Sequence, residues 1–120
     1  MHYIERIGVQ IGSNGCNCNM RLTICAGEGN GTCCMTDDLD SENNDFESND
    51  YNMFANSTET LGNCTAIAMP AGEMLSLIAY HDGSDAVDIE YWDILFGDNT
   101  YETCHDGNNY DNDDYYMVYC

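Results

Sequence analysis

Residues 87–96 have the sequence VDIEYWDILF, in which apolar and polar side chains alternate. The apolar positions begin at Val87 and, after Tyr91, shift phase to Trp92 and Ile94. Alternation with a period of two is typical of a β-strand that turns one face to a core. The phase shift indicates a β-bulge or a kink within this strand. We expect Trp92 to belong to the core, because a tryptophan among apolar strand neighbours is mostly buried.

The two-residue period recurs along the chain, and segments rich in Gly, Asn and Asp separate the periodic stretches. No long segment has the period of a helix. The candidate strands are 6–12, 19–25, 51–57, 63–69, 73–81, 87–96, 100–104 and 115–119. This pattern predicts an all-β fold, an antiparallel β-sandwich of about seven to eight strands in a single domain over 1–120. We expect 36–50 and 106–114 to be loops.

The charge of the chain excludes some partners. Against 22 acidic residues stand only two basic ones, Arg6 and Arg21, and the formal net charge is −20. Such a surface repels phosphates, so we expect neither nucleic-acid binding nor direct binding to an anionic membrane. Self-repulsion also destabilises the compact state, which favours bound cations, a cationic partner or covalent cross-links as compensation.

Eight cysteines in a small acidic chain predict a disulfide framework and therefore an oxidising, extracellular compartment. They are Cys16, Cys18, Cys25, Cys33, Cys34, Cys64, Cys104 and Cys120. Eight cysteines allow 105 pairings, so the sequence assigns none. The alternative is a zinc site, which the spacing disfavours: no C-x₂₋₄-C pair is repeated at a distance and no H-x₃₋₅-H follows.

Three N-x-[ST] sequons agree with secretion, at Asn30, Asn56 and Asn63. Each is a candidate N-glycosylation site, and the motif is usually found on the surface of secreted proteins. Together with the cysteines, they predict a secreted, disulfide-stapled glycoprotein.

Four segments follow one another in an order that resembles PLAT (lipoxygenase-homology) domains. They are LDSENNDFESNDYNMF (39–54), LGNCTAIAM (61–69), HDGSDAVDIEYWDILF (81–96) and YETC (101–104). The matching positions are Asn44, Phe46, Glu47, Phe54, Leu61, Gly62, Ile67, His81, Asp82, Trp92, Ile94, Tyr101 and Cys104. The resemblance covers about 6–105, and implies an eight-stranded sandwich that docks to lipids or proteins, sometimes through calcium-bound loops.

Two groups of carboxylates are candidate calcium ligands, because calcium takes six to eight oxygen ligands. The candidates are Asp37, Asp38, Asp40, Asp45 and Glu47 in the first group and Asp82, Asp85 and Asp88 in the second. Loops at one end of a sandwich converge, so the two groups could share an ion. The first group is not an EF-hand, since Asn43 and Asn49 stand where its Gly and Glu are required. The alternative is a solvated, repelling face.

Catalysis finds little support in the sequence. The pairs His81-Asp82 and His105-Asp106 are interpreted as solvated turn histidines beside acids, since no nucleophile motif accompanies them. The carboxylates are too numerous for any pair to stand out as a glycosidase pair. We therefore predict that this chain is not an enzyme.

The first functional hypothesis is a non-catalytic extracellular structural or adhesive module with calcium-binding acidic loops. It would be a subunit of a matrix or filament, with other protein subunits or further copies of itself as partners. The alternative is a calcium-dependent ligand-binding module, lectin-like or lipid-surface-binding, with glycans among its ligands. An exposed aromatic side chain beside the acidic loops favours the alternative, whereas a large apolar interface favours assembly. A mineral-associated acidic protein is a third hypothesis.

Overall fold

A computed structural model of the chain describes residues 3–27, 31–39, 46–55, 60–83 and 85–120. These residues form eight strands and a 3-10 helix, Gly62–Thr65. The strands are β1 (Ile4–Ile11), β2 (Asn19–Ala26), β3 (Thr32–Met35), β4 (Tyr51–Phe54), β5 (Leu75–Asp82), β6 (Val87–Phe96), β7 (Tyr101–Tyr110) and β8 (Tyr115–Tyr119). Helical structure in the described ranges is too short and too polar to cross a lipid bilayer.

The strands form two four-stranded sheets, in the orders β4-β1-β6-β7 and β3-β2-β5-β8. Every described strand pairing is antiparallel. The predicted all-β sandwich of about eight strands is therefore confirmed.

The phase shift within β6 corresponds to a real irregularity. Gln10 and Ile11 of β1 pair with Tyr91 and Ile89 of β6, so β6 has one extra residue, Glu90, at this point. The extra residue turns Trp92 to the same side as Ile89, and both side chains are buried. The predicted bulge and the predicted core position of Trp92 are both confirmed.

The core lies between the two sheets and follows the predicted alternation. Along β1 the buried side chains include Ile7 and Ile11, and along β2 they include Met20 and Ile24. Phe46 and Phe54 stack with their ring centroids 5.9 Å apart. Burial of these side chains, at roughly 1.5–3 kcal/mol each, is the main stabilising contribution to the fold.

Segment 63–69 does not form the predicted strand. Gly62 has a φ of +56°, and a Cβ there would lie 2.4 Å from the Met35 carbonyl oxygen. The chain thus turns against β3, where Asn63 Oδ1 accepts the Met35 N–H at 2.8 Å. A side chain thereby takes the hydrogen bond that a neighbouring strand would have made, and a 3-10 turn follows.

Two further strands depart from the prediction. The short strand β3 was not predicted, because its TCCM sequence has no clear alternation. Strand β7 extends to Tyr110, through the HDGNN segment that was assigned to a loop. Between the pairs Ile89–Asn108 and Tyr91–His105, β7 has one residue more than β6. Gly107, with a φ of +74°, lies in that bulge instead of in a turn.

The loops of both sheets meet at two ends. One end contains the loops 12–18, 46–50 and 111–114 together with Asp82 and Asp85, and we call it the acidic end. The other, which we call the opposite end, contains the β6–β7 turn beside Tyr3, whose carbonyl accepts the Gly97 N–H at 3.0 Å.

Candidate functional site

Backbone hydrogen bonds fasten the loops of the acidic end to one another. The Gly12 N–H donates to the Asp88 carbonyl, and the Gly12 carbonyl accepts the Asn49 N–H, both at 2.8 Å. The Cys16 N–H donates to the Phe46 carbonyl, also at 2.8 Å. The β1–β2 loop therefore joins the segment 46–50 to the start of β6, as the sandwich architecture predicts.

The second carboxylate group divides between structural and exposed roles. Asp88 is half-buried, and its carboxylate accepts hydrogen bonds from Ser13 Oγ at 3.2 Å and from Asn109 Nδ2. Asp82 and Asp85 are exposed at the acidic end. Asp88 thus fixes the loops, whereas Asp82 and Asp85 face solvent.

The first carboxylate group is only partly described. Asp37 and Asp38 follow β3 along the side of β2, where Asp38 Oδ1 lies 3.5 Å from Arg21 Nε. Glu47 is exposed at the acidic end. Asp40 and Asp45 lie outside the described residues.

No calcium site is shown within the described residues. The potential metal ligands that lie close together in the described residues are the side chains of Cys16, Cys18 and His81. None of the predicted carboxylates is among them, so the calcium ligands remain a prediction.

Exposed tyrosines flank the acidic end. Tyr115 follows the 111–114 loop and is 69% exposed, while Tyr51 follows Asp50 and is 41% exposed. The Tyr51 hydroxyl donates to Asp93 Oδ2 at 2.8 Å across Gly8, where any Cβ would collide with the phenol. Partial burial, and then this hydrogen bond, raise the pKa of Tyr51 above the ordinary range. The phenol therefore stays neutral, and its ring is held flat on the sheet.

Asp106 is the centre of a hydrogen-bond network at the edge of the core. Its Oδ2 accepts Trp92 Nε1–H at 2.8 Å and the Tyr110 O–H at 2.6 Å, while its Oδ1 accepts from Asn108. Asp106 is therefore a structural acceptor. His105, its neighbour, is exposed as expected, but it lies within β7 and not in a turn.

His81 was interpreted as a solvated turn histidine, and that interpretation is wrong. His81 lies within β5 and is fully buried. Its Nδ1 lies 2.9 Å from the Asp111 carbonyl oxygen, and its Nε2 lies 3.9 Å from Cys16 Sγ. The inward phase of β5, which also buries Leu77 and Ala79, was the sequence signal that could have placed it.

All eight cysteines are paired, as predicted. The bonds are Cys16–Cys18, Cys25–Cys33, Cys34–Cys64 and Cys104–Cys120. Of the three sequons, Asn63 is exposed, whereas Asn30 and Asn56 lie outside the described residues. Glycosylation at all three remains a prediction.

The outer face of the sheet β3-β2-β5-β8 is unusually apolar for a chain of this charge. Its exposed side chains include Met35, Met117 and Tyr119, and Arg21 packs on the Tyr80 ring, 5.0 Å from its centroid. We call this surface the neutral face. An apolar sheet surface that faces solvent is a candidate interface.

Comparisons with known proteins identify the fold but no family. No protein-family model and no curated protein sequence matches the chain. Among solved structures, it is similar to the alpha toxin of Clostridium absonum, with a TM-score of 0.62 and 16% identity over 96% of this chain. It is also similar to the Clostridium perfringens alpha-toxin from an avian strain, with a TM-score of 0.61 and 14% identity over 98% of this chain. The chain spans 31% of each toxin chain.

At this level of identity the likeness shows the fold, and it fits the PLAT-like sandwich that the sequence resembles. The expectation of no direct binding to an anionic membrane considered net charge alone. A likeness at 16% identity shows the fold and not a binding partner, so that expectation stays a prediction.

Proposed function

We propose that this chain is a secreted, non-catalytic β-sandwich module that docks on a lipid surface through calcium held at the acidic end. The observation that supports this function is the joining of several acidic loops beside two exposed tyrosines, Tyr51 and Tyr115. The four disulfides agree with an oxidising, extracellular environment.

With calcium bound, the acidic end can bind anionic lipid headgroups, which its own negative charge would otherwise repel. The ion takes six to eight oxygen ligands. Of the predicted ligands, Glu47, Asp82 and Asp85 are exposed at the acidic end. Phosphate or carboxylate oxygens of a lipid headgroup supply others, so the ion bridges two anionic partners. Tyrosine rings favour the boundary between headgroups and acyl chains, where Tyr115 would then lie.

The test is co-sedimentation with vesicles of phosphatidylserine and phosphatidylcholine, compared with phosphatidylcholine alone, in calcium and in excess chelator. We expect binding to the anionic vesicles in calcium only, because the charge of −20 repels them otherwise. Asp82→Asn with Asp85→Asn should weaken binding about tenfold or more. The matched control is Glu5→Gln with Glu73→Gln, which removes the same charge near Gly97 and Gly27, at the opposite end.

Equal binding in calcium and in chelator, or equal loss in both variants, would contradict the proposed site. Competition by soluble sugars in the same assay would assign the lectin-like form of the function instead.

Self-assembly is a second candidate, and the neutral face favours it. In a chain of charge −20, two copies approach with least repulsion through a surface that has few carboxylates. Sedimentation velocity should then show association that rises with concentration and is lost in Met117→Glu. Met53→Glu, on the outer face of the other sheet, is the matched control. Monomers at all concentrations would exclude this candidate.

A further inference from the structure

Cys16, Cys18 and His81 come together where the β1–β2 loop crosses the end of β5. One ligand atom from each of the three side chains lies within 4.8 Å of the others. Cys16 and His81 are buried, and Cys18 is half-buried. The sequence gives no hint of this grouping, because His81 lies more than sixty residues from the cysteines.

The hydrogen bonds of His81 determine which ring nitrogen carries the proton. A carbonyl oxygen can only accept, so the 2.9 Å contact with Asp111 requires that Nδ1 carries the hydrogen. In the neutral ring, Nε2 then presents its lone pair to Cys16 Sγ, 3.9 Å away. A disulfide sulfur has no hydrogen to donate, so Nε2 faces a partner that cannot satisfy it.

This arrangement has the features of a protein metal ligand set. Metal-binding histidines almost always donate their other ring N–H to a carbonyl or carboxylate, as His81 does to Asp111. Ligand atoms around a tetrahedral zinc lie about 3.5 Å apart, given the usual zinc–sulfur and zinc–nitrogen distances. The separation of Nε2 and Cys16 Sγ is close to that value. Two thiolates and an imidazole are soft and borderline donors, which favour zinc and copper(I) over calcium or magnesium.

We propose that, when the Cys16–Cys18 bond is reduced, these two thiols and His81 Nε2 form a buried site for a thiophilic cation of the Zn²⁺ or Cu⁺ class. Reduction requires two electrons and two protons, which two equivalents of an external thiol, or one of a dithiol, supply as they form their own disulfide. Cation binding then displaces the two thiol protons, and the sulfurs move apart around the ion. Because Cys18 is half-buried, the reductant can reach it.

Gly83 forms one wall of this site. A Cβ at position 83 would lie 3.2 Å from the Cys18 Cβ and 3.7 Å from His81 Nε2. A side chain there would crowd the space between the sulfurs and the ring. Gly83→Ala is therefore a variant that disturbs the site without removing a ligand.

The first test uses the whole chain, reduced under mild conditions, with free thiols located by alkylation and peptide mass mapping. Cobalt(II) is the probe, because thiolate ligands give it a charge-transfer band and a tetrahedral site gives strong visible bands. We expect one bound cobalt in protein reduced at Cys16 and Cys18, and none in the oxidised protein. Competition with a zinc chelator and with a copper(I) chelator then decides which cation binds more tightly.

Variants separate this site from the other cysteines. Cys16→Ala with Cys18→Ala should abolish binding, whereas Cys25→Ala with Cys33→Ala removes another disulfide and should leave binding intact. His81→Gln should weaken binding by more than the ~10–100-fold that loss of an outer-shell partner costs. Gly83→Ala should weaken it less. The near-ultraviolet circular dichroism of Trp92 reports whether each variant is folded.

The proposal is overturned if protein with free thiols at Cys16 and Cys18 binds none of the three ions. It is also overturned if folded His81→Gln binds cobalt as tightly as the parent chain. Should His81→Gln not fold, unchanged affinity in Gly83→Ala has the same meaning.

Discussion

The Cys34–Cys64 bond joins β3 to the 3-10 helix across 30 residues of sequence, whereas Cys16–Cys18 joins two residues of one loop. In the chain-entropy account, a cross-link stabilises by restricting the unfolded chain, and a longer closed loop gives a larger effect. That account assigns about 3.5 kcal/mol to the first bond and only about 1 kcal/mol to the second. The stability that the first bond contributes is enough to account for its presence. The second bond contributes little stability, which is consistent with a chemical role.

The largest effect should follow removal of the long cross-link. Cys34→Ala with Cys64→Ala should lower the free energy of unfolding by about 3.5 kcal/mol. Alanine is the suitable replacement because both positions are buried, and a serine hydroxyl would add its own desolvation cost. Guanidinium unfolding followed by Trp92 fluorescence measures the change. A loss below about 1 kcal/mol would remove the contrast between the two bonds.

The second-largest loss of stability should follow disruption of the Asp106 hydrogen-bond network. Asp106→Asn replaces one carboxylate oxygen by an NH2 group, which cannot accept a hydrogen bond. Either Trp92 and Tyr110, or Asn108, then lose their acceptor. We expect a loss of about 2 kcal/mol, since a buried donor is left without its partner. The same unfolding experiment measures it, with Asp113→Asn as an exposed control on the neighbouring turn. Equal effects in the two variants would show that the network adds nothing to stability.

Tyr110 predicts a decline of stability at alkaline pH. Burial, and then the hydrogen bond to Asp106, raise the pKa of the Tyr110 phenol above its ordinary value. The unfolded chain ionises this group near pH 10, whereas the folded chain keeps it neutral. Its contribution is therefore fully present below about pH 10 and is lost at roughly 1.4 kcal/mol per pH unit above it.

The measurement is the free energy of unfolding between neutral and strongly alkaline pH, compared with Tyr110→Phe. Above about pH 10, the free energy of unfolding of Tyr110→Phe should fall less steeply than that of the parent chain, by roughly 1.4 kcal/mol per pH unit. Tyr51, whose pKa is also raised, contributes to the decline that remains. Parallel curves for the two proteins would contradict the role assigned to Tyr110.

The smallest effect should come from the short cross-link. Cys16→Ala with Cys18→Ala should cost only about 1 kcal/mol, while it removes the cobalt binding expected of the reduced chain. Unfolding and metal titration on the same sample measure both effects. A stability loss as large as that of the long cross-link would show that this bond is structural.

Much of the sandwich could be predicted because its strands alternate clearly. Strand β6 was predicted at its observed bounds together with its bulge, since a phase shift in the apolar pattern is visible in the residues themselves. The course of segment 63–69 could not be predicted, because it depends on the hydrogen bond that Asn63 accepts from Met35, which is distant in sequence. Local alternation carries no information about such a contact.

The candidate sites show the same limit. Sandwich architecture predicted that the acidic loops converge at one end. Of the described candidates, Glu47, Asp82 and Asp85 lie there, whereas Asp37 and Asp38 lie along β2. The position of His81 beside Cys16 and Cys18 could not be predicted, because it depends on the pairing of β2 with β5. Sequence spacing disfavoured a metal there, and only the tertiary arrangement suggests one.

The Cys104–Cys120 bond has a mechanical consequence. It links β7 to the residue that follows β8, across a sequence separation of 16. A pulling force applied at Cys120 passes through sulfur directly into β7, so β8 and the 111–114 turn carry no load. In a module held on a surface and pulled from that point, strand β8 would stay in place while tension is borne by the long β6–β7 pair.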